Sequence, residues 1–238
     1  MAHEENIGFV VVKYQFYKRM KSKKLISFFS ILSFIVPLIT ITICYYILIN
    51  NTSLKTFPFI DGRISISYLG RQELTIEIFK TGMLLFILIS FFFYSYISNF
   101  FQKNKFENRL KISGIIANFF LGIYIFTLGN NSELYNILRK LGIVLYIIAM
   151  YINHIYTIKL LKKTKKFRFN NLSLNILFTI IMIMTGLIII GSPWIISTFE
   201  YSDQMKNIVE WNYFLLMVSF YVPVSLLFYK PGNPSPLQ

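Results

Sequence analysis

Residues 25–49 read LISFFSILSFIVPLITITICYYILI, a run of 25 residues without one charged side chain. A helix of roughly 20 apolar residues spans the ~30 Å hydrocarbon core of a bilayer. Five further stretches of this kind follow, at about 82–101, 112–129, 137–160, 172–197 and 208–229. The sequence therefore predicts an all-α polytopic membrane protein, a six-helix transmembrane bundle with a long first connection.

The composition agrees with one membrane domain. With 55% hydrophobic and 14% charged residues, a soluble domain of 238 residues would have too little polar surface. We expect the six spans to form a domain over residues 25–229, with a basic tail at 1–24 and a short tail at 230–238. The first stretch is longer than the apolar core of a signal peptide, which indicates a signal anchor.

Basic residues are distributed unevenly between the two sides of such a bundle. The two tails and the second and fourth connections hold 17 of the 24 Lys and Arg residues, whereas the other three connections hold 7. Acidic residues follow the opposite distribution, 3 against 7, so the first side carries the whole net charge of +14. The positive-inside rule predicts that this side, with both termini, is cytosolic. Topology accounts for the basic charge, and no nucleic acid partner is expected.

Lysines are concentrated just outside the first and fourth stretches. Each juxtamembrane basic side chain contributes about 1 kcal/mol of attraction to anionic headgroups. We therefore expect membrane lipids, anionic on the cytosolic face, as partners, and membrane proteins as a second class of partner. The predicted headgroup contacts are Lys21, Lys23, Lys24, Lys162, Lys163, Lys165 and Lys166.

Motifs of soluble enzymes are absent from the sequence. It contains no Gly-rich phosphate loop, no His-Glu-x-x-His and no Gly-x-Ser-x-Gly. Its two histidines, His3 and His154, are too few for a histidine-rich metal site. We expect no metal, no cofactor and no catalytic residue.

Polar side chains within the stretches have more than one interpretation. Gly114, Asn118 and Gly122 recur every four residues, which is typical of close helix packing, with a substrate contact as the alternative. Asn153 and His154 lie near the cytosolic end of the fourth stretch. There they either simply reach the lipid headgroups, or sense cytosolic pH or contact a lipid phosphate.

The first connection, about residues 50–81, is far longer than two neighbouring helices need. Its aromatic residues, a turn signal at Asp61-Gly62 and an Ile-Ser-Ile-Ser run predict a short extended segment packed over the lumenal mouth. Its charged side chains either neutralise one another or line a polar lumenal site. These residues are Asp61, Arg63, Arg71, Glu73 and Glu77.

Glu210 and Trp211 open the sixth stretch. Trp is an ordinary anchor at the membrane interface, but a carboxylate that enters the membrane is costly without a partner. We predict that Arg63 or Arg71 pairs with Glu210, and that Trp211 packs against residues 57–68. The first connection and the start of the sixth stretch would then form one lumenal site.

The layout and several short motifs resemble the Frag/DRAM/Sfk family. This family includes the damage-regulated autophagy modulators, the post-GPI-attachment remodelling factor and the N-terminal domain of the yeast Cwh-type cell-wall protein. The residues that carry the resemblance are Ile66, Ser67 and Gly70 in an Ile-Ser-x-x-Gly motif, Phe79, and the Glu-Trp pair Glu210-Trp211. Arg139-Lys140 stands where many members carry a histidine.

The resemblance implies a non-enzymatic multi-pass protein of endomembranes, in the lysosome or vacuole or in the ER and Golgi. Such a protein modulates autophagy or membrane lipid organisation through a lumenal site. GPI-anchor lipid remodelling, with an activity on lipid, is the second interpretation, and a transporter or channel is the third. The spans contain few ionisable residues, which disfavours the third. The predicted site comprises Arg63, Ser67, Gly70, Arg71, Glu73, Glu77, Phe79, Glu210 and Trp211.

Overall fold

The structure, a computed structural model, describes residues 2–52, 56–101, 105–130, 132–163, 172–198 and 202–229. Within these ranges all regular structure is helical and no strand is present, which confirms the all-α prediction. The helices are α1 Ala2–Asn51, α2 Pro58–Asp61, α3 Ile66–Leu69, α4 Ile76–Phe100, α5 Lys105–Phe126, α6 Glu133–Lys163, α7 Leu172–Thr198, α8 Ser202–Ser219 and α9 Tyr221–Tyr229.

Five segments of the described chain are long and apolar enough to cross a membrane. They are Ser22–Asn51, Ile76–Phe100, Phe106–Phe126, Glu133–Lys162 and Asp203–Tyr229. α7 contributes a shorter apolar segment, Ile176–Ile189. The helices therefore support a multi-pass membrane architecture, and a sixth crossing by α7 stays a prediction.

α1 is one helix of 50 residues, about 75 Å long at 1.5 Å per residue. It includes residues 2–24, which the sequence assigned to a separate tail. Neither Gly nor Pro occurs between positions 9 and 36, and Lys, Arg and Met favour the helix. Nothing therefore ends the helix between the basic run and the apolar stretch.

The predicted sixth span is two helices rather than one. α8 ends at Ser219, Phe220 is a turn residue, and α9 begins at Tyr221. Pro223 accounts for the break, because it has no N–H to donate to the carbonyl of Ser219 four residues earlier. Phe220 and Tyr221 are completely buried, so the break lies inside the bundle.

The helices pack mainly against their neighbours in the chain, and α1 also contacts α8 and α9. Serine hydroxyls join α1 to α9. The Oγ atoms of Ser27 and Ser225 lie 2.9 Å apart, and the Ser30 hydroxyl donates to the carbonyl of Tyr221 at 2.7 Å. Small polar residues are a usual means of joining helices in a bilayer, where lipid tails are as apolar as the helices themselves.

Apolar side chains also cover the outside of the bundle. Exposed examples on α4 and α5 are Leu88, Phe91, Ile116 and Phe119. A soluble monomer rarely exposes a continuous apolar surface of this extent, whereas lipid tails solvate it. The outer surface therefore agrees with a bundle that lies in a bilayer.

Residues 56–75 of the first connection form a small folded unit, which we call the cap. α2 packs on α8, and α3 packs on α1 and α8. The predicted extended segment is wrong, because this stretch forms the two short helices α2 and α3. The Ser65 hydroxyl accepts the N–H of Tyr68 at 2.9 Å, which is typical of a helix N-cap.

The lysines predicted to contact headgroups fall into three groups. Side chains that are exposed or partly exposed belong to Lys23, Lys24 and Lys162. The helical residues described by their backbone alone are Lys21 and Lys163. Lys165 and Lys166 lie outside the described residues. Lys24 lies roughly 30 Å along α1 from Tyr45, whose hydroxyl donates to the carbonyl of Thr56 in the cap, so Lys24 and the cap lie toward opposite ends of the membrane segment.

Candidate functional site

The face of α8 that meets the cap carries polar side chains, and these bind the main chain of the cap. Asn207 donates from Nδ2 to the carbonyl of Gly62 at 2.7 Å, and Asn212 donates from Nδ2 to the carbonyl of Phe59 at 3.2 Å. An irregular segment has few main-chain partners of its own, and the two amides supply some of them. α8 therefore holds the cap through backbone groups.

Trp211 adds both a hydrogen bond and an aromatic contact. Its indole N–H donates to the carbonyl of Ile64 at 2.7 Å, which satisfies the polar atom of a buried ring. The ring centroid lies 5.1 Å from that of Phe59 and 5.9 Å from that of Tyr45 on α1, both edge-on. The expected packing of Trp211 against residues 57–68 is confirmed.

Glu210 meets a main-chain amide rather than the predicted arginine. Its Oε1 accepts the N–H of Ser67 at 3.0 Å, and the described residues show no ion pair between Glu210 and Arg63 or Arg71. The Arg71 Nε instead donates to the carbonyl of Ser67 at 3.0 Å, and its charge acts on Glu210 from a longer distance. The predicted direct pairing is wrong, because the first turn of α3 offers unbonded N–H groups.

Arg63, Glu73 and Glu77 lie on the outer surface, where their side chains are exposed. Glu77 is in the first turn of α4, where a negative charge stabilises the helix. Among the described residues, no hydrogen bond or ion pair joins these three side chains to Glu210 or Trp211.

Gly70 and Phe79 pack together beneath the cap. A Cβ atom on Gly70 would lie 3.0 Å from the ring of Phe79 and 3.3 Å from Leu128. The glycine permits this close approach, and Phe79 is buried. Gly70 therefore lies on the buried side of the cap, against Phe79 of α4.

Asp61 organises the turn that follows α2. Its carboxylate accepts from the Thr56 hydroxyl at 2.5 Å, from the N–H of Phe57 at 2.8 Å and from the N–H of Arg63 at 3.1 Å. Desolvation raises the pKa of Asp61, but the three hydrogen bonds and the charge of Arg63 outweigh it and lower the pKa below its ordinary value. The predicted turn is confirmed, with Gly62 at φ +57°.

The left-handed conformation of Gly62 also permits contact with α8. A Cβ atom at this position would lie 2.1 Å from the carbonyl oxygen of Gln204. Only glycine fits, since a side chain would be strained at this φ and would also collide with main-chain atoms.

Arg139 of α6 is a basic residue of this region that the predicted site did not include. It donates from Nη2 to Oδ1 of Asn136 at 2.6 Å. Arg139 and Arg71 interact electrostatically with each other, and both interact with Tyr124. Glu210 also interacts electrostatically with Tyr124. The guanidinium groups of Arg71 and Arg139 and the carboxyl group of Glu210 therefore interact electrostatically in one region beside the cap.

A second polar group lies inside the bundle, at Asn153 and His154. Both residues are 0% exposed. The imidazole of His154 stacks on the ring of Phe220 at the α8–α9 break, with the ring centroids 3.8 Å apart. The sequence suggested that these side chains reach the headgroups or sense cytosolic pH. Both interpretations are wrong, because the two side chains lie on the face of α6 that packs against the other helices.

No protein-family model, curated protein or solved structure matches the chain. The resemblance to the Frag/DRAM/Sfk family therefore stays a prediction from layout and short motifs. Function has to be argued from the geometry of the sites themselves.

Proposed function

We propose that the chain is a six-span endomembrane protein that modulates membrane lipid organisation or autophagy without making or breaking covalent bonds. The cap is its binding surface. The observation that supports this most is the contrast between the two faces of the cap. One face is held by α8 through Asn207, Trp211 and Asn212, whereas the other exposes large apolar side chains. Loops held on a rigid scaffold in this way commonly bind partners.

The partner we propose for this surface is the headgroup region of the lumenal leaflet. Phe57, Ile60 and Leu74 are 59%, 74% and 58% exposed, which is unfavourable in water but suits a lipid interface. The guanidinium groups of Arg71 and Arg139 suit a lipid phosphate. The cap would then order the lipids around the mouth of the bundle.

Photo-crosslinking tests this contact. The full-length protein is placed in phosphatidylcholine nanodiscs that contain a lipid with a photoreactive headgroup. We expect the double substitution Phe57→Ser and Ile60→Ser to reduce crosslinks to the cap several-fold. Leu134→Ser is the control, because Leu134 is 63% exposed on α6 outside the cap. Equal crosslinking of the cap in all three proteins would exclude lipid contact by the cap.

The number of crossings is tested separately. Six crossings place the two termini on the same side of the membrane, whereas five place them on opposite sides. We expect protease added to sealed microsomes to remove tags from both termini, since the basic side is predicted to be cytosolic. Protection of one tag alone would mean that α7 does not cross.

We propose that the basic residues at the other end of the bundle bind anionic lipids without headgroup specificity. The side chains of Lys24 on α1 and Lys162 on α6 are exposed and that of Lys23 on α1 is partly exposed, and juxtamembrane basic residues attract anionic headgroups through their charge. Substitution of all three by Gln should weaken binding to every acidic lipid of equal charge to the same degree. A strong preference for one lipid species would contradict this.

The class of function is tested in the cell that makes the protein. A tagged copy is expected in the lysosome or vacuole or in the ER and Golgi. Altered lipid on GPI-anchored proteins after deletion would favour the remodelling interpretation. Ion flux in liposomes that contain the purified protein would favour a channel.

A further inference from the structure

Three polar atoms inside the bundle have no hydrogen-bond partner among the residues that the structure describes. They are both ring nitrogens of His154 and Nδ2 of Asn153, and the Asn153 amide lies beside the Tyr94 hydroxyl without reaching hydrogen-bond distance. Both side chains are fully buried on α6. Unpaired polar atoms in an apolar environment cost free energy, and native proteins contain few of them. These atoms are therefore candidates for binding a group that the chain does not supply.

Side chains from other helices make the surroundings polar. The hydroxyl oxygens of Tyr94 on α4 and Tyr221 on α9 lie 3.1 Å apart. The Tyr94 hydroxyl also donates to the Met150 sulfur at 3.4 Å, and the Ser113 hydroxyl donates to Oδ1 of Asn153. Four helices thus contribute polar atoms to one region of the bundle.

The same region contains the break between α8 and α9. His154 stacks on Phe220, which is the residue between these two helices. Helices that are interrupted inside a membrane often form binding sites, because the interruption brings main-chain polar groups into the bundle. Two independent observations, the unpaired atoms and the helix break, therefore coincide.

We propose that Asn153 and His154, with the hydroxyls of Tyr94 and Tyr221, bind a hydroxyl group inside the membrane. The Asn153 amide nitrogen donates only, whereas a neutral imidazole has one donor and one acceptor. A single group that meets both the Asn153 amide and the acceptor nitrogen of His154 must accept one hydrogen bond and donate another, and a hydroxyl is a small neutral group that does both. Phosphate dianions and carboxylates only accept and ammonium groups only donate, and such charges are costly among apolar helices.

Two sources supply such a hydroxyl in a membrane. One is water, which commonly satisfies buried polar groups that lack a protein partner. The other is the hydroxyl of a lipid such as a diacylglycerol or a sterol. The bilayer is close, because Ile152, the residue before Asn153, is exposed on the outer surface of α6. The experiment distinguishes the two sources.

The histidine content of the chain makes the site accessible to spectroscopy. His3 and His154 are its two histidines, so His3→Ala leaves only the residue of interest. The full-length variant is labelled with ¹⁵N-histidine, placed in phosphatidylcholine bilayers with or without diacylglycerol, and measured by solid-state NMR. We expect one ring nitrogen of His154 to have the shift of a hydrogen-bonded neutral imidazole, since the two nitrogens point away from each other and one hydroxyl reaches only one of them. Shifts of unbonded nitrogens in both bilayers would overturn the proposal.

The source of the hydroxyl follows from two further measurements. Magnetisation transfer from water protons to His154 assigns the ligand to water. Crosslinking of α6 or α9 by a photoreactive diacylglycerol, but not by its acetylated counterpart without the hydroxyl, assigns it to lipid. Absence of water transfer together with equal crosslinking by both probes would contradict a hydroxyl site.

Substitutions then test the named residues. In Asn153→Leu, we expect the hydrogen-bonded ring nitrogen of His154 to move to the shift of an unbonded nitrogen. Thr185→Val is the matched control, since Thr185 is a buried residue of α7 whose hydroxyl already donates to the carbonyl of Ile181 at 2.6 Å. Unchanged ¹⁵N shifts of His154 in Asn153→Leu would show that Asn153 does not bind the hydroxyl. If this variant does not fold, the labelled protein with native Asn153 still decides the proposal.

Discussion

The indole N–H of Trp211 donates to the main-chain carbonyl of Ile64 at 2.7 Å, across 147 residues of sequence. Both residues are buried. The bond joins the last membrane segment directly to the first connection, and Asn207 and Asn212 add two further bonds of the same kind. The cap and α8 are therefore expected to move as one unit.

Trp211→Phe tests how much this bond contributes. The variant keeps an aromatic ring against Phe59 but leaves the carbonyl of Ile64 buried without its donor. We expect a loss of about 1–3 kcal/mol in the free energy of unfolding, the usual cost of an unsatisfied buried polar group. Thermal unfolding in detergent measures it. Tyr213→Phe is the control. The Tyr213 hydroxyl lies 3.5 Å from the carbonyl of Ile147, and a hydrogen bond this long contributes little stability. Equal losses of unfolding free energy in the two variants would show that the indole hydrogen bond contributes no more than the long Tyr213 contact.

The turn at Asp61 should make stability depend on pH in the acidic range. Its pKa in the folded protein is lower than the ordinary value of 3.8, because the turn binds the charged carboxylate. The stabilisation is therefore complete above the ordinary value and is lost as the pH falls through the lower folded pKa. Asp61→Asn should lower the unfolding temperature at neutral pH, and the difference from the native chain should shrink toward pH 3. Glu73→Gln, an exposed substitution in the cap, is the control. A difference that is constant down to pH 3 would contradict a role for the Asp61 charge.

The membrane helices could be predicted from the sequence because a long apolar run has few stable structures in a bilayer. Their ends could not. α4 begins at Ile76, six residues before the predicted span. An apolar run predicts which residues lie within the membrane, but the helix can begin outside it. The break at Phe220 also had a signal in Pro223, but many membrane helices tolerate a proline without ending.

The candidate site was predictable only in part, for a related reason. Glu210 and Trp211 were identifiable because a carboxylate and an indole at a membrane mouth need partners. Their partners are main-chain groups of Ser67 and Ile64, and every residue carries such groups, so the sequence contains no signal for them. The same explanation holds for Asn207, whose partner is also a backbone carbonyl.

The two glycines of α5 should respond differently to substitution, although the sequence predicts one packing face for both. A Cβ atom on Gly114 would lie 2.7 Å from the ring of Tyr94, whereas nothing lies within 4 Å of one on Gly122. We expect Gly114→Ala to destabilise the protein by about 1–3 kcal/mol through overpacking. Gly122→Ala should be neutral or stabilise the helix by up to about 1 kcal/mol. Thermal unfolding compares them, and a similar loss in both variants would contradict the packing.

Substitution of Glu210 should loosen the cap. Glu210→Gln keeps an oxygen that accepts the N–H of Ser67 but removes the charge that interacts with Arg71, whereas Glu210→Leu leaves the N–H without a partner. A buried donor left without its acceptor costs about 1–3 kcal/mol, so the leucine variant should be affected most.

Trypsin provides the measurement, because Arg63 and Arg71 are exposed in the cap but are cleaved only when its backbone opens. We expect cleavage of the cap to be several-fold faster in Glu210→Gln than in the native protein, and faster still in Glu210→Leu. Glu133→Gln is the matched control, since Glu133 is an exposed residue in the first turn of α6. Its cleavage rate should equal that of the native protein. If all four proteins are cut at one rate, Glu210 does not hold the cap, and the coupling between α8 and the first connection rests on Trp211 and the two asparagines alone.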